Sequence, residues 1–343
     1  MKFAFDTDLA ELEGGALAFL EDANSVERLR EDGDKPEKLW TALASVGLLG
    51  LTAKTEDGGL GLGASDALRI CQSFGYSNLP EPVGETVAII VPLLTELLPD
   101  GDDRVSRLIA GEARTALSHT MNPCINLLEG SDELLLVAGD QIALYPTQAL
   151  DFSSVQSIDP WRNPSLVDRL PAPSLILAEG RNAEQHHARV GALGAVEAAA
   201  ELCGLAGRMI ELATAYAGER QQFGQVIGKF QAVKHLLATA QTRLEFARPV
   251  VYRAAASMDS PQRNLYAAHA KVAATDAAIL AGETAIQVFG GMGYTYEADL
   301  HYFMKRCWAL AGNWGSREQH LNVIETSVLE GGIDIGPGTS FNR

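Results

Sequence analysis

An arginine, an aromatic ring and several amides lie close together between Gly218 and His235, in the stretch GERQQFGQVIGKFQAVKH. Glycines in Phe223-Gly224 and Ile227-Gly228 interrupt a helical pattern, and a new one begins near Phe230-Gln231. The stretch is therefore predicted to be a short corner between two helices. A guanidinium supplies charge and paired donors for phosphate, and a ring covers a flat surface. These residues favour a phosphate-containing ligand, with a plain inter-helix loop as the alternative.

The composition favours a folded protein without a nucleic-acid partner. The chain has 343 residues, 47% of them apolar, which is enough for two or three compact domains. Its formal net charge of −17 opposes binding to nucleic acid or to an anionic membrane surface, because both require a basic surface. A locally basic pocket is compatible with this total.

Cysteine and histidine usage indicates a reducing compartment and no metal site. Cys71, Cys124, Cys203 and Cys307 are widely spaced without a CxxC pair, so reduced thiols in a cytoplasmic protein are expected. The seven histidines show no ligand spacing, and His186-His187 lies in a polar stretch. Acidic residues near the N-terminus and the lack of an apolar run of about 18 residues predict neither a secretion signal nor a membrane span.

Residues 1–112 are predicted to form a helical domain. Pro36 opens a helix, a glycine-rich loop follows it, and Ser65 is expected to cap the next helix. The loop lacks both GxGxxG and GK[ST], so phosphate binding there is the less favoured alternative. Residues 85–98 are expected to be helical, with a kink or break at Pro92.

Residues 113–185 are predicted to form a small β domain. Short strand-like runs occur at 116–120, 134–137, 142–145 and 175–177. Gly139-Asp140 is typical of a hairpin turn between the second and third runs. Prolines at 160, 164, 171 and 173 disfavour helices in the remainder.

Residues 186–330 are predicted to form an antiparallel four-helix bundle. From Val190 onward, apolar residues recur at spacings of three and four in three long segments, and residues 318–329 supply a fourth helix. One stripe consists of Val233, Leu236, Ala240, Leu244, Ala247 and Val251. Residues 331–343 are expected to be a loose tail.

Three stretches resemble the acyl-CoA dehydrogenase family. GLLGLTAKTEDGGLGLG is similar to the family's N-terminal loop, ERQQFGQVIGKFQAVKHLLA to its signature at the bundle corner, and AIQVFGGMGYTYEADLHYFMKR to its second signature. The resemblance implies a mostly α fold, with an N-terminal helical domain, a reduced central β domain and a C-terminal four-helix bundle. It also implies FAD as cofactor, an acyl-CoA substrate dehydrogenated at Cα and Cβ, and an electron-acceptor flavoprotein as a partner.

By the same resemblance, seven residues are expected to contact FAD, and the corner residues among them reach FAD bound to a facing subunit. The family's corner arginine and aromatic reach the pyrophosphate and adenine side of that cofactor. The matching residues here are Arg220, Gln222, Phe223, Gln231, Gln287, Gly290 and Gly291. Glycines at the last two positions would let the backbone approach the cofactor closely. The alternative is that these glycines serve only tight helix packing.

The family's catalytic base has no match at either of its usual positions. The segment before the last helix is Ala311-Gly312-Asn313-Trp314-Gly315-Ser316, without a carboxylate. The other family position, at the start of the first bundle helix, falls near Gly194. Glu197 and Glu201 lie about one and two turns further along, at about 5 Å per turn. The catalytic residue is therefore left open: one of these two glutamates acting from an unusual place, or a base on a partner.

The family's loop that holds the flavin ring is also altered. Its T-E-P-x-x-G-S-D-like sequence is matched by Thr120-Met121-Asn122-Pro123, which a longer stretch separates from Glu129-Gly130-Ser131-Asp132. The strands after it are few and short. The chain thus keeps what the family uses to hold a neighbour's FAD and lacks much of what would hold its own.

These features favour the non-catalytic subunit of a heteromeric enzyme. The chain resembles the shorter subunits of α2β2 acyl-CoA dehydrogenases that act on steroid side-chain or ring-derived CoA thioesters, so a longer homologous subunit is the expected partner. Two alternatives stay open: a self-sufficient homo-oligomer with an atypical base, and a flavin-free scaffold. The sequence does not identify the acyl group, because ordinary apolar residues line such pockets.

Overall fold

The computed structural model describes residues 7–24, 28, 30 and 36–331, and helices form most of this part of the chain. The helices before the first strand are α1, Thr7–Ala23; α2, Pro36–Ser45; α3, Ala64–Tyr76; α4, which joins Val83–Glu85, Thr86–Ile90 and Val91–Leu97; and α5, Arg104–Ile109. The tail predicted for 331–343 lies outside the described residues beyond Gly331.

Two helix features in this region, the path of the chain at Pro92 and the cap of α3, test the sequence predictions. A π-helical turn, Thr86–Ile90, lies directly before Pro92 in α4, so the backbone accommodates the proline ring without ending the helix. The predicted cap at Ser65 is wrong. The N-cap of α3 is Gly63, whose φ of −69° and ψ of 161° take the extended conformation that a cap requires, and Ser65 lies inside the first turn.

The β region contains two sheets. The larger has the order β1 (Thr115–His119), β3 (Glu133–Val137), β4 (Gln141–Pro146) and β7 (Leu175–Glu179). The smaller has the order β2 (Ile125–Asn126), β6 (Pro164–Arg169) and β5 (Asp151–Ser154). The hairpin predicted at Gly139-Asp140 is confirmed, because β3 and β4 pair antiparallel across it. The sequence did not predict β2, β5 or β6, which are short or largely polar.

The C-terminal half is a helical bundle with a helix more than predicted. It consists of α6 (Gly180–Glu219), α7 (Gln231–Ala255), α8 (Arg263–Phe289), α9 (Leu300–Gly312) and α10 (Arg317–Leu329). The first of these begins ten residues before the predicted onset at Val190. Helix α9 was not predicted as a helix. It packs on α6 and leads into the segment 311–316, which the resemblance matches to a base position of the family.

Small residues bring α3 and α6 into close contact. An ideal Cβ built on Gly75 would lie 2.0 Å from the carbonyl oxygen of Glu201, and one on Gly204 would lie 2.0 Å from that of Gln72. Any larger residue at either glycine would force the two helices apart. The predicted stripe on α7 is only partly a core face, since Ala240, Leu244, Ala247 and Val251 are buried but Leu236 is 41% exposed.

Two bundle helices are long and apolar enough to cross a membrane by length and composition, a test that buried core helices also pass. In Gly180–Glu219, 94% of the most apolar window is buried inside the protein. In Arg263–Tyr294, 50% of that window is buried. The apolarity of the first helix therefore serves the packing of the core.

Candidate functional site

The predicted corner is a two-residue hairpin that presents an aromatic ring to solvent. Strands β8 (Gln221–Gln222) and β9 (Gln225–Val226) pair antiparallel. Phe223 and Gly224 form the turn with φ of 51° and 79°, and tight hairpins require such values at both central residues. A bulky residue in the left-handed region is strained, and the Phe223 side chain is nevertheless 91% exposed. The turn therefore holds an aromatic ring out of the protein, where another molecule can contact it.

A ring stack brings the second predicted segment to the same end of the bundle. Tyr216, one turn before the end of α6, stacks on Phe289 at the end of α8, with ring centroids 4.3 Å apart and planes 12° apart. The next residue, Gly290, has φ 60° and ψ −133°, a combination open to glycine. We use "bundle corner" for residues 220–231 together with 287–291.

All seven predicted cofactor contacts are exposed at the bundle corner. They are Arg220, Gln222, Phe223, Gln231, Gln287, Gly290 and Gly291. The backbone of Arg220 is fixed, since its N–H donates to Tyr216 O at 2.9 Å and its carbonyl accepts from Ile227 N at 2.8 Å. Its guanidinium has no ion pair within the described residues. The corner thus offers a charge, amides and a ring to a molecule outside this chain. Contact with FAD stays a prediction.

Glu197 and Glu201, the candidate bases, lie in the interior rather than in an open cleft. Both are buried on α6, and both lie beside Gly84 of α4. An ideal Cβ on Gly84 would be 1.9 Å from Oε1 of Glu197 and 2.9 Å from Oε1 of Glu201. Glu85, the next residue of α4, is also buried and accepts hydrogen bonds from Asn122 Nδ2 at 3.0 Å and Trp314 Nε1 at 3.2 Å.

Burial and mutual repulsion favour the protonated forms of these carboxyls. Burial, partly offset by Arg162, raises the pKa of Glu85 to about 7. Burial and then the charges of Glu201 and Glu85 hold the pKa of Glu197 well above its usual range. Burial also raises the pKa of Glu201, which a hydrogen bond from Glu197 partly lowers. A hydrogen bond from Glu197 to Glu201 joins the two carboxyls, and their mutual repulsion opposes ionisation of both.

Two buried arginines complete this acid cluster. Arg306 of α9 pairs with the buried Asp159 and donates to the carbonyl of Leu79. Arg162, from the β region, donates through Nη1 to Asn313 Oδ1 at 3.2 Å. The acid cluster, defined as Glu85, Glu197, Glu201, Arg162 and Arg306, thus joins α4, the β region and the bundle.

The two segments that the resemblance matches to the family's base positions meet in this structure, and the indole of Trp314 lies against Gly194. Trp314 has 1% of its surface exposed, and an ideal Cβ on Gly194 would lie 2.1 Å from its Cδ2 atom. The ring therefore lies directly on the backbone of α6. Neither residue carries a carboxylate, and the lack of a Cβ at Gly194 leaves room for the indole.

The cavity within the acid cluster is too small for a substrate. Its volume is about 20 Å³, and Glu85, Glu197, Glu201, Arg162, Arg306 and Trp314 are among its lining residues. Ligand pockets usually measure about 300–1,000 Å³, whereas a water needs about 10–15 Å³. Asn126 Oδ1 and Arg306 Nη2 are buried without a protein partner beside it, so the cavity fits an ordered water. Carboxyls suited to proton transfer are present, but an acyl chain has no room.

Histidines fill the region beside the altered flavin loop. His119, at the end of β1, stacks on His187 with ring centroids 4.1 Å apart and accepts from the N–H of Met121 at 3.1 Å. Burial lowers the pKa of His119 to about 4, so the ring is neutral. The adjoining cavity measures about 160 Å³ and is also below the usual ligand range.

Sequence reasoning missed much of the acid cluster. The sequence predicts Glu85 only as a helix residue and indicates no role for Arg162 or Arg306. Their one local signal is a charged residue beside apolar ones, as in the run Tyr302-Phe303-Met304-Lys305-Arg306. Such a run does not show which partners are present, because Arg306 and Asp159 are 147 positions apart.

Family models and relatives match most of the chain. The acyl-CoA dehydrogenase C-terminal domain matches residues 192–329, and the acyl-CoA dehydrogenase N-terminal domain matches residues 11–95. The acyl-CoA dehydrogenase IpdE2 of Mycobacterium tuberculosis is 30% identical over 88% of this chain and 90% of its own length. The acyl-CoA dehydrogenase FadE34 of the same organism is 30% identical over 88% of this chain, which spans only 43% of that relative.

Solved structures share the fold at low identity. The ChsE4-ChsE5 complex of Mycobacterium tuberculosis matches with a TM-score of 0.82 at 18% identity, over 96% of this chain and 99% of the compared chain. The Tcur3481-Tcur3483 steroid ACAD matches with a TM-score of 0.81 at 22% identity, over 95% and 98%. The two domain matches and the 30% identity to IpdE2 over most of both chains show that this chain belongs to the acyl-CoA dehydrogenase family.

Proposed function

We propose that this chain is a subunit of a heteromeric, FAD-dependent acyl-CoA dehydrogenase. It contributes its bundle corner to FAD shared with a longer homologous subunit, which supplies the base. The observation that carries the proposal is the contact of Trp314 with Gly194, because it fills both places where the family has a base. The chain is the interface partner in this proposal, and the reaction occurs at the partner's cleft.

The bundle corner fits a dinucleotide that lies across an interface. The free guanidinium of Arg220 suits a pyrophosphate, and the exposed ring of Phe223 suits a flat base. Gly291 has no atom within 4 Å of an ideal Cβ, so its backbone is open to close approach. When bound, FAD would accept the hydride that leaves Cβ of the acyl thioester.

The surface of the bundle supports a partner subunit. A groove of about 850 Å³ lies between α7, α8 and α10, with Phe246, Ile279 and Leu280 among its apolar lining residues. Phe246 is 73% exposed, which is unusual for a large apolar side chain in the middle of a helix. Arg243 and Glu283 of the same groove provide charges of both signs for a complementary surface.

The names of related proteins suggest the substrate class. The Tcur3481-Tcur3483 structure is named as a steroid ACAD, and ChsE4-ChsE5 is named as a complex. We extend both features to this chain: a steroid-derived CoA thioester as substrate, and a heterotetramer as the assembly. An electron-acceptor flavoprotein would reoxidise the cofactor.

A self-sufficient homo-oligomer is the second candidate, and the position of Glu197 and Glu201 on α6 favours it.

One experiment distinguishes the heteromeric enzyme, the homo-oligomer and the scaffold. The chain is purified alone and after co-expression with a longer homologue encoded beside it, and flavin is quantified per chain. The proposal expects a colourless chain alone and a yellow complex with one FAD per pair of unlike subunits. A yellow, active protein from this chain alone contradicts it, and a colourless complex indicates a scaffold.

A further inference from the structure

The indole of Trp314 occupies the interior as a bound ring would. Its Nε1–H donates to Glu85 at 3.2 Å, its face covers Gly194, and its ring centroid lies 5.3 Å from that of His119. One polar group is thus satisfied and the remaining surface is enclosed, as for an aromatic ligand in a closed pocket.

The backbone around Trp314 keeps the ring inside. Trp314 has φ 54° and Gly315 has φ 93°, so two consecutive residues take the left-handed conformation. A tryptophan in this region is strained, and the strain persists only where other contacts enforce it. His320 Nε2 provides one of these contacts, since it donates to the carbonyl of Trp314 at 2.8 Å.

A buried lysine holds the end of the helix before Trp314. Lys271 of α8 is fully buried, and its Nζ donates to the carbonyls of Leu310 and Ala311, both at 2.9 Å. These are among the last carbonyls of α9, which lack partners within the helix. The lysine thus fixes the position from which the chain turns to place Trp314 over Gly194.

The indole stands between the two small cavities of the interior. It lines the cavity of about 20 Å³ in the acid cluster. His119 and His320, which contact Trp314, line the neighbouring cavity of about 160 Å³. Removal of the indole would therefore leave a larger space between α6, α9 and the end of β1.

We propose that Trp314 is the specificity-determining residue of an interior cleft between α6, α9 and the end of β1. Its indole fills this cleft in the wild type, and without the indole the cleft binds a planar aromatic molecule of similar size. The inference rests on the proposed function in one respect: it takes this cleft to be the substrate site of this chain, which Trp314 closes. The ligand chemistry follows from the contacts themselves, an N–H donor facing Glu85 and a flat face over Gly194.

The test compares Trp314→Ala with Trp308→Ala in the full chain, using indole as the probe. Trp308 lies on α9 and is 45% exposed, so it controls for the loss of a tryptophan from the same region. Trp314→Ala is expected to lower Tm by about 10 °C, and saturating indole to recover several degrees of that loss. Indole should leave the wild type and Trp308→Ala unchanged. A folded Trp314→Ala that indole does not stabilise overturns the proposal.

Gly194→Ala provides a test that does not require Trp314→Ala to fold alone. An alanine inside a helix is normally more stable than a glycine. Here the added methyl meets the indole, so Gly194→Ala is expected to lower Tm in the wild type and to raise it in the Trp314→Ala background. A rise in the wild type overturns the proposal. Flavin content of the complex, measured separately, tests the proposed function, so the two failures are distinguishable.

Discussion

The acid cluster and the bundle corner use similar side chains in opposite surroundings. Each has arginine together with amide and aromatic groups, which in the acid cluster come from contacting residues such as Asn313 and Trp314, but Arg162 and Arg306 are buried while Arg220 is exposed. A buried charge must be paired and hydrogen-bonded, and the carboxyls of the cluster supply that pairing. An exposed guanidinium is hydrated and needs no internal partner. The comparison indicates that the cluster holds this chain together, whereas the corner is open to a second molecule.

This contrast predicts which property a substitution in each region will change. Changes in the acid cluster should alter the free energy of unfolding, because they leave unpaired groups in the interior. Changes in the bundle corner should alter ligand binding with little effect on folding. The predictions that follow test this separation.

Arg306→Ala should give the largest loss of stability. Removing one partner of a buried ion pair leaves the other uncompensated, here Asp159, at a cost of about 3–5 kcal/mol. Urea unfolding measures the loss. The control is Arg169→Ala, which removes a pair with Asp151 in which both side chains are more than half exposed, and which should change stability by about 0–1 kcal/mol. Equal effects from both variants would remove the distinction between interior and surface arginines.

Glu85→Gln should remove a pH dependence of stability. The folded pKa of Glu85 is raised from 4.5 to about 7, so its contribution is fully present below pH 4.5 and is lost as pH rises to about 7. Glutamine stays neutral and should be more stable than the wild type at pH 8, by on the order of 3 kcal/mol. Unfolding between pH 4 and 8 measures the difference. The control is Glu129→Gln at an exposed position, and its stability should depend on pH as that of the wild type does. The prediction is contradicted if the stability of Glu85→Gln has the same pH dependence as that of the wild type.

The pKa of Lys271 sets the upper limit of the pH range in which the effect of Glu85 can be measured without interference from this lysine. Burial lowers its pKa from 10.5 to about 7, so stability from this group rises with pH above 7 and is lost as pH falls through 7. As pH rises, the titration of Glu85 lowers the free energy of unfolding below pH 7, and the titration of Lys271 raises it above pH 7. Measurements below pH 7 therefore separate the contribution of Glu85 from that of Lys271, and the comparison of Glu85→Gln with the wild type separates it from the other buried carboxyls.

Arg220→Ala should weaken FAD binding in the assembled enzyme and leave unfolding unchanged. The loss of one charge-assisted contact with a phosphate costs about 1.5–3 kcal/mol of affinity. Flavin release during dilution of the complex measures it. Arg181→Ala, an exposed arginine in the first turn of the same helix, is the matched control and should retain flavin. Retention by both variants would make Arg220 an ordinary surface residue.

The sequence predicted local features better than distant contacts. The bundle corner was located because Phe223-Gly224 and Ile227-Gly228 break a helical pattern within a few residues, and the structure places a hairpin there. The hairpin at Gly139-Asp140 was found for the same reason. Leu236 was assigned to the core by its spacing, but helix periodicity does not say which neighbour covers a face, and in this chain it is 41% exposed.

The closure of the cleft could not be predicted in the same way. The sequence indicated that Asn313-Trp314 and Gly194 lack a carboxylate, but not that the indole covers that glycine across 120 positions of chain. The same limit applies to Glu85, which meets Trp314 at a separation of 229 residues. Both contacts depend on the packing of α4, α6 and α9, which only the folded chain fixes.

Glu197→Gln and Glu201→Gln should leave turnover of the assembled enzyme nearly unchanged, the smallest effect in this series. Both carboxyls face a cavity of about 20 Å³, and Trp314 covers the neighbouring family positions, so neither can reach the α-carbon of a substrate. Loss of a general base typically costs about 10²–10⁴-fold in rate. Turnover is measured beside flavin content and subunit mass, so that a drop is counted only in an intact complex. A drop of that size from either variant, with FAD bound and assembly intact, would identify the base in this chain and overturn the closed-cleft proposal. A glutamine at 197 can still donate a hydrogen bond to Glu201 through its amide, so assembly should survive this change.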